Sequence, residues 1–264
     1  MVGCAHGEGQ FCPEQKQQPI MKTLLYAALA LLSSCIPPHA HVHPDSDSPQ
    51  KGIVSGRVVD TSGKPLANAD IVVNNAQFYN NNILGKTDAN GHYSLSVNAG
   101  SWYVRGTVTV RFDNKTYVLD LFPETTGAFA GSEGAIRNLR WKLTGEKPKE
   151  FGMSGHYGGS LDVYGAIGEF FDTDNVEFTF KPVGTLIDGS AGKTLTVKTG
   201  DENAQDIPLG KYTVTARYLP TNQSMLLRQR NASQSYKNSV TASFEPTYPG
   251  ATGSYQLTLE VKLP

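Results

Sequence analysis

The chain has 264 residues, a net charge of −1 and only 18% charged residues. Such a balance lacks the basic face that nucleic-acid binding demands, so no nucleic-acid partner is expected. The 27 glycines and 15 prolines supply frequent reversals and point to many short strands. All three cysteines, Cys4, Cys12 and Cys35, lie at the N-terminal end, so the body has no internal disulfide and no cysteine-based metal site.

Residues 1–34 read as a signal region. Met21-Lys22 precedes "TLLYAALALL", an apolar run of the length of a signal-peptide core and too short to span a bilayer. The polar stretch before Met21 suggests that translation starts there. Leu32-Ser33-Ser34-Cys35 resembles the bacterial lipobox, a leucine and two small residues before a cysteine. That resemblance implies cleavage before Cys35, acylation of Cys35 and anchoring in the outer membrane; two or more acyl chains hold stably where one does not. The alternative is an ordinary secretory signal with an incidental cysteine. Residues 35–51 then form a tether rich in Pro, Ser, Asp and Gln, too polar to build a core. His39, His41 and His43 alternate within it, without a carboxylate or cysteine to complete a metal site.

From Ile53 onward the hydrophobic period is two. "HYSLSV" sets Tyr93, Leu95 and Val97 on one face; "TVTVRF" sets Val108, Val110 and Phe112 there. "VEFTFK", "YTVTARY" and "YQLTLEVKL" repeat the pattern through Val176–Phe180, Tyr212–Tyr218 and Tyr255–Leu263. Alternation of this kind means half-buried antiparallel strands with one wet face. Asp60–Pro65 and Asp88–Gly91 read as tight turns. "SMLLRQRNASQSYKN" reads as a long connection or one short helix. The charged segment 144–152 separates two strand-rich halves, 52–143 and 153–264, each of normal domain size. The expected fold is all-β: two antiparallel β-sandwich domains after the signal region and tether.

Three stretches carry a family resemblance: "GIVSGRVVDTSGKPLANADIVV", "TDANGHYSLSV" and "AGSWYVRGTV". In order and spacing they resemble the carboxypeptidase regulatory-like domain, a transthyretin-like β-sandwich. The resemblance implies that Gly63 and Gly91 make turns and that Tyr93 and Trp102 are core aromatics. Such modules accompany enzymes, surface receptors and carbohydrate-associated proteins, so the fold implied does not settle function.

Catalytic patterns are near misses. "DGSAGKT" lacks the glycine a phosphate loop needs at Ile187 and runs into a strand rather than a helix. "GMSGHYGGS" is not a nucleophile elbow, because Gly155 follows Ser154 directly, although His156 is close in sequence. Asp172, Asp174 and Glu177 form an oxygen-rich "DTDNVE" cluster that is a weak calcium candidate; a solvated acidic loop is the simpler reading. No cofactor is expected, and the chain is expected not to be an enzyme.

Aromatic residues in loops remain the lead, because a flat ring stacks on the apolar face of a sugar. Phe78 and Tyr79, followed by Asn80, Asn81 and Asn82, combine stacking surface with amide donors and acceptors. The sequence therefore predicts a non-catalytic, lipid-anchored binding module of the cell envelope, with Phe78, Tyr79, Asn80 and Asn81 as its carbohydrate site. The alternative is an assembly subunit whose strand edges pair with an envelope protein.

Overall fold

The computed structural model describes residues 48–200 and 204–264. The signal region, Cys35 and the histidines of the tether lie outside the described residues. No helix among the described residues is long and apolar enough to cross a membrane.

The first half contains β1 (Ile53–Val59), β2 (Asp70–Asn75), β3 (Asn82–Lys86), β4 (His92–Ser96), β5 (Ser101–Phe112), β6 (Lys115–Pro123), β7 (Phe129–Ala130), β8 (Ala135–Ile136) and β9 (Leu139–Trp141). They pair in the order β3-β2-β5-β6-β9-β1-β4, with β7 on β5 and β8 on β1. The alternation seen in the sequence sets the inner face. Val54, Val58, Ile71, Val73, Trp102, Val104, Leu121 and Leu139 share one buried cluster. Sequence signals make the turns. The Asp60 carboxylate accepts from the backbone N–H groups of Ser62 and Lys64 (2.8 and 2.9 Å). Asp88 does the same for Asn90 and His92 (2.8 Å each), with Gly91 at φ 75°.

The second half contains β10 (Ser160–Gly165), β11 (Val176–Leu186), β12 (Leu195–Lys198), β13 (Gly210–Tyr218), β14 (Gln223–Ser224), β15 (Leu226–Gln229), β16 (Val240–Ser243), β17 (Glu245–Pro246) and β18 (Tyr255–Lys262). One sheet runs β10-β18-β15 with β17 on β18; the other runs β12-β11-β13-β14 with β16 on β13. Phe178, Phe180, Val214, Leu227 and Leu259 are fully buried between them. The architecture is all-β, as the sequence predicts. Most pairs are antiparallel, but β10 runs parallel to β18, and β8 and β9 run parallel to β1. Within the segment expected as a connection or a short helix, Leu226–Gln229 forms β15, and residues 230–238 connect it to β16. Met225 and Leu227 alternate into the core, and Arg228 pairs with Glu260 across the neighbouring strand (3.1 Å).

The described residues make one compact unit, and the buried cluster runs through both halves. The β5–β6 hairpin supplies the join. Its turn, Asp113-Asn114, has positive φ at both residues (47° and 61°), the geometry that reverses two twisted strands in two residues. Asp113 accepts from Lys211 (2.8 Å) and Ser243 (2.5 Å). Tyr117 donates to the Phe244 carbonyl (2.9 Å), and the Tyr255 hydroxyl bonds the Val118 backbone at both its N–H and its carbonyl (2.7 and 3.0 Å).

These bonds make stability depend on acid. The Lys211 ammonium, and then the Ser243 hydroxyl, hold the Asp113 carboxyl below its ordinary value. Tyr236 and Arg228 do the same for Glu260. A carboxyl whose pKa is lowered by folding contributes stability above its unfolded pKa and loses it as pH falls through the folded value. Thermal midpoints are therefore expected to be flat near neutrality and to drop below about pH 4. Asp113→Asn is expected to lower the neutral-pH stability by about 1–2 kcal/mol and to flatten that drop. An unchanged pH profile in this variant would show that Asp113 does not couple folding to protons.

Candidate functional site

The exposed face of β3-β2-β5-β6 is built in rows by its register. Leu84, Val72 and Arg105 lie across one row, and Asn82, Asn74 and Tyr103 across the next. Lys86, Asp70 and Thr107 form a third row, which continues to Asp120 on β6. Lys86 and Asp70 pair across it. The inward residues of β2, Ile71 and Val73, are committed to the core, so its outward residues are fixed in place by the same strand.

The loop between β2 and β3 stands at the end of this face. The Asn75 side-chain oxygen accepts from the N–H groups of Gln77 (2.9 Å) and Phe78 (3.0 Å), and Asn75 N–H donates to the Asn81 carbonyl (2.9 Å). This asparagine-closed turn lifts the next residues away from the sheet. Phe78 is 65% exposed and Tyr79 wholly exposed, and Asn80 takes a positive φ of 58°. Asn80, Asn81 and Asn82 are exposed beside them. Leu84, also exposed, extends the apolar surface onto β3. Two large rings are thus left unburied on a hydrogen-bonded turn.

Other aromatic residues from the loops have structural partners. Tyr157 is buried and meets Phe122 edge-on (6.2 Å between centroids). Phe171 packs edge-on against Tyr218 (5.6 Å). Tyr236 lies under Arg228 (4.5 Å). Ile167 and Phe170, after β10, are almost fully exposed, and Tyr248 is 67% exposed.

The acidic cluster is occupied by the protein itself. Asp172 caps a 3-10 turn by accepting from Asp174 N–H (3.0 Å) and Asn175 (2.9 Å), and Glu177 pairs with Arg217. Among the described residues no three His, Cys, Asp or Glu side chains gather as a metal site. Asp188 closes its own turn through Ser190 (3.0 Å to the N–H) and accepts from Thr61 of the first half (2.6 Å). Ser154 and His156 line different hollows, with no hydrogen bond between them.

No family model matches the chain, and no curated protein matches it. Distant likeness to solved structures exists. The TIE protein of Bacillus anthracis is 20% identical with a TM-score of 0.30, covering 81% of this chain and 34% of that one. The chain thus spans about a third of that protein's length. The major pilin subunit of Bacillus cereus is 12% identical with a TM-score of 0.22, covering 81% of this chain and 100% of that one. A Pseudomonas aeruginosa protein provisionally described as carbohydrate-binding is 14% identical with a TM-score of 0.21, covering 36% of this chain and 92% of that one. Likeness at this level carries no function from those proteins to this one.

Proposed function

We propose that this chain is a non-catalytic binding module of the cell envelope, held to the outer membrane through acylated Cys35 and taking carbohydrate at the β2–β3 loop. The observation that carries this reading is the exposure of Phe78 and Tyr79 on a turn fastened by Asn75. The rings offer faces for stacking, and Asn80 and Asn81 offer amides for sugar hydroxyls. The carboxypeptidase regulatory-like resemblance of the first half is compatible with such an accessory role.

Binding of the full chain to a panel of neutral and acidic polysaccharides tests it, by array and then by calorimetry. The Phe78→Ala/Tyr79→Ala double variant is expected to weaken saturable binding at least ten-fold. Its stability should stay within about 0.5 kcal/mol of the parent, since both side chains are exposed. Full-strength binding by the variant would move the site elsewhere, and no binding to any polysaccharide by the parent would end the glycan reading.

A second reading is an assembly subunit. Ile167 and Phe170 favour it, because two nearly fully exposed apolar side chains in one loop suit a protein partner. Recovery of one stoichiometric envelope protein, lost on Ile167→Ser/Phe170→Ser, would establish it.

A further inference from the structure

We propose a second ligand subsite, an acid-recognising cleft in which Arg105 binds the carboxylate of a uronic-acid sugar. The inference rests on the glycan reading for its ligand class, but on different residues.

A cleft of about 580 Å³ lies where the outward face of β2 and β5 meets the segments 147–154 and 248–254. That volume is in the range of small-ligand sites. The register places Arg105 opposite Val72 on this face. Three other strand arginines are paired, Arg140 with Glu124, Arg217 with Glu177 and Arg228 with Glu260, and Arg111 is exposed at the hairpin end. Arg105 has no carboxylate within ion-pair distance among the described residues. Its Nε is buried with no hydrogen-bond partner. A buried guanidinium N–H without a partner costs free energy.

The guanidinium is also held in place. Arg105 sits over the Tyr103 ring (5.4 Å), and Tyr103 is stacked face to face with Phe151 (3.9 Å between centroids, 6° between planes). Packing of this kind orients the planar fork before a ligand arrives, which favours bidentate capture of a carboxylate. The local charges leave Arg105 available. Lys147 and Asp120, which also line the cleft, neutralise one another (2.6 Å). Glu150 lines a small adjoining hollow with Arg105 and does not pair with it.

The remaining lining suits a sugar ring. Asn74, Thr107, Ser154, Thr252 and Ser254 present amides and hydroxyls, and Tyr248 presents a largely exposed ring. Many neutral donors and acceptors beside one cation that lacks a counter-ion match a carboxylated ring better than a simple anion, which would need further positive charge.

Calorimetry on the full chain with tetragalacturonate and with its methyl ester tests the proposal, because esterification removes the charge and keeps the rings. Tetragalacturonate is expected to bind at least ten-fold more tightly than the ester. Arg105→Gln should abolish that preference, and Arg105→Lys should retain only part of it, with the thermal midpoint of each variant confirming the fold. Equal binding of acid and ester by the parent would overturn the cleft while leaving the glycan reading intact. Failure of both probes, together with failure on the polysaccharide panel, would end both. Equal, Arg105-dependent binding of tetraglutamate would overturn the sugar class and assign the cleft to acidic peptides.

Discussion

Asp120→Ala is expected to destabilise the protein by about 3 kcal/mol, the cost of leaving a buried ammonium without its counter-charge. Lys147 is 7% exposed and donates to the Asp120 carboxylate and to the Gly253 carbonyl, each at 2.6 Å. Removing the carboxylate leaves one neutral acceptor for a charge that water hardly reaches. Asp120 is itself 30% exposed, which sets the expectation at the lower end of the range for broken buried pairs. Lys147→Met in the same chain should recover much of the loss, since an apolar side chain of similar length needs no counter-charge. Urea denaturation reads the effect. Both tryptophans, Trp102 and Trp141, lie in the first half, so fluorescence follows that half while circular dichroism follows both. Coincident transitions in the parent are expected from the bonds that cross between the halves. A loss under about 1 kcal/mol would mean that solvent screens the ammonium.

Gly56→Ala is expected to cost about 3 kcal/mol or more, by overpacking rather than by a cavity. A Cβ at this position would stand 2.0 Å from the Arg137 carbonyl oxygen and 2.9 Å from the Tyr93 ring. Neither neighbour is free to move. Gly56 opposes Tyr93 in the β1–β4 register, and the Tyr93 hydroxyl donates to that same Arg137 carbonyl (2.5 Å). Arg137 N–H in turn donates to the Ser55 carbonyl (2.7 Å). The methyl group would have to part β1 from the segment that follows β8. The measurement is again the urea midpoint, with hydrogen exchange at Arg137 N–H as the local report. Near-parental stability would show that this segment can shift as a whole.

The sequence carried the strands and turns plainly, because each depends on neighbours close along the chain. Period-two alternation placed Val176, Phe178 and Phe180 in the core, where all three are fully buried. Asp60 and Asp88 announced their turns through short-range side-chain bonds. The β2–β3 loop was legible as a loop for the same reason: Phe78, Tyr79, Asn80 and Asn81 interrupt the alternation between two strands. What joins the halves was not legible. Asp113 meets a lysine 98 residues away and Tyr117 a carbonyl 127 residues away, and no local pattern encodes such partners. The segment Met225–Gln229 was obscured by its charge, since Arg228 looks like a helix-surface residue until Glu260 stands across from it. Arg105 was hidden by regularity. On an alternating strand an outward arginine reads as an ordinary solvated charge, and neither the Phe151 ring stacked on neighbouring Tyr103 nor the unpartnered Arg105 Nε has a local sequence signal.

The long reach of the β5–β6 hairpin also bears on how the protein is made. Synthesis proceeds from the N-terminus, so Asp113 and Tyr117 leave the ribosome well before Lys211, Phe244 and Tyr255 exist. Until then the hairpin has no acceptor for the Tyr117 hydroxyl and no cover for the ring that ends up against Tyr255. The first half is thus born with an unfinished end, and closing it waits on strands near the C-terminus. A nascent chain cut short after residue 143 would display that end, and a carrier that keeps the chain extended until it is whole would spare it from aggregation.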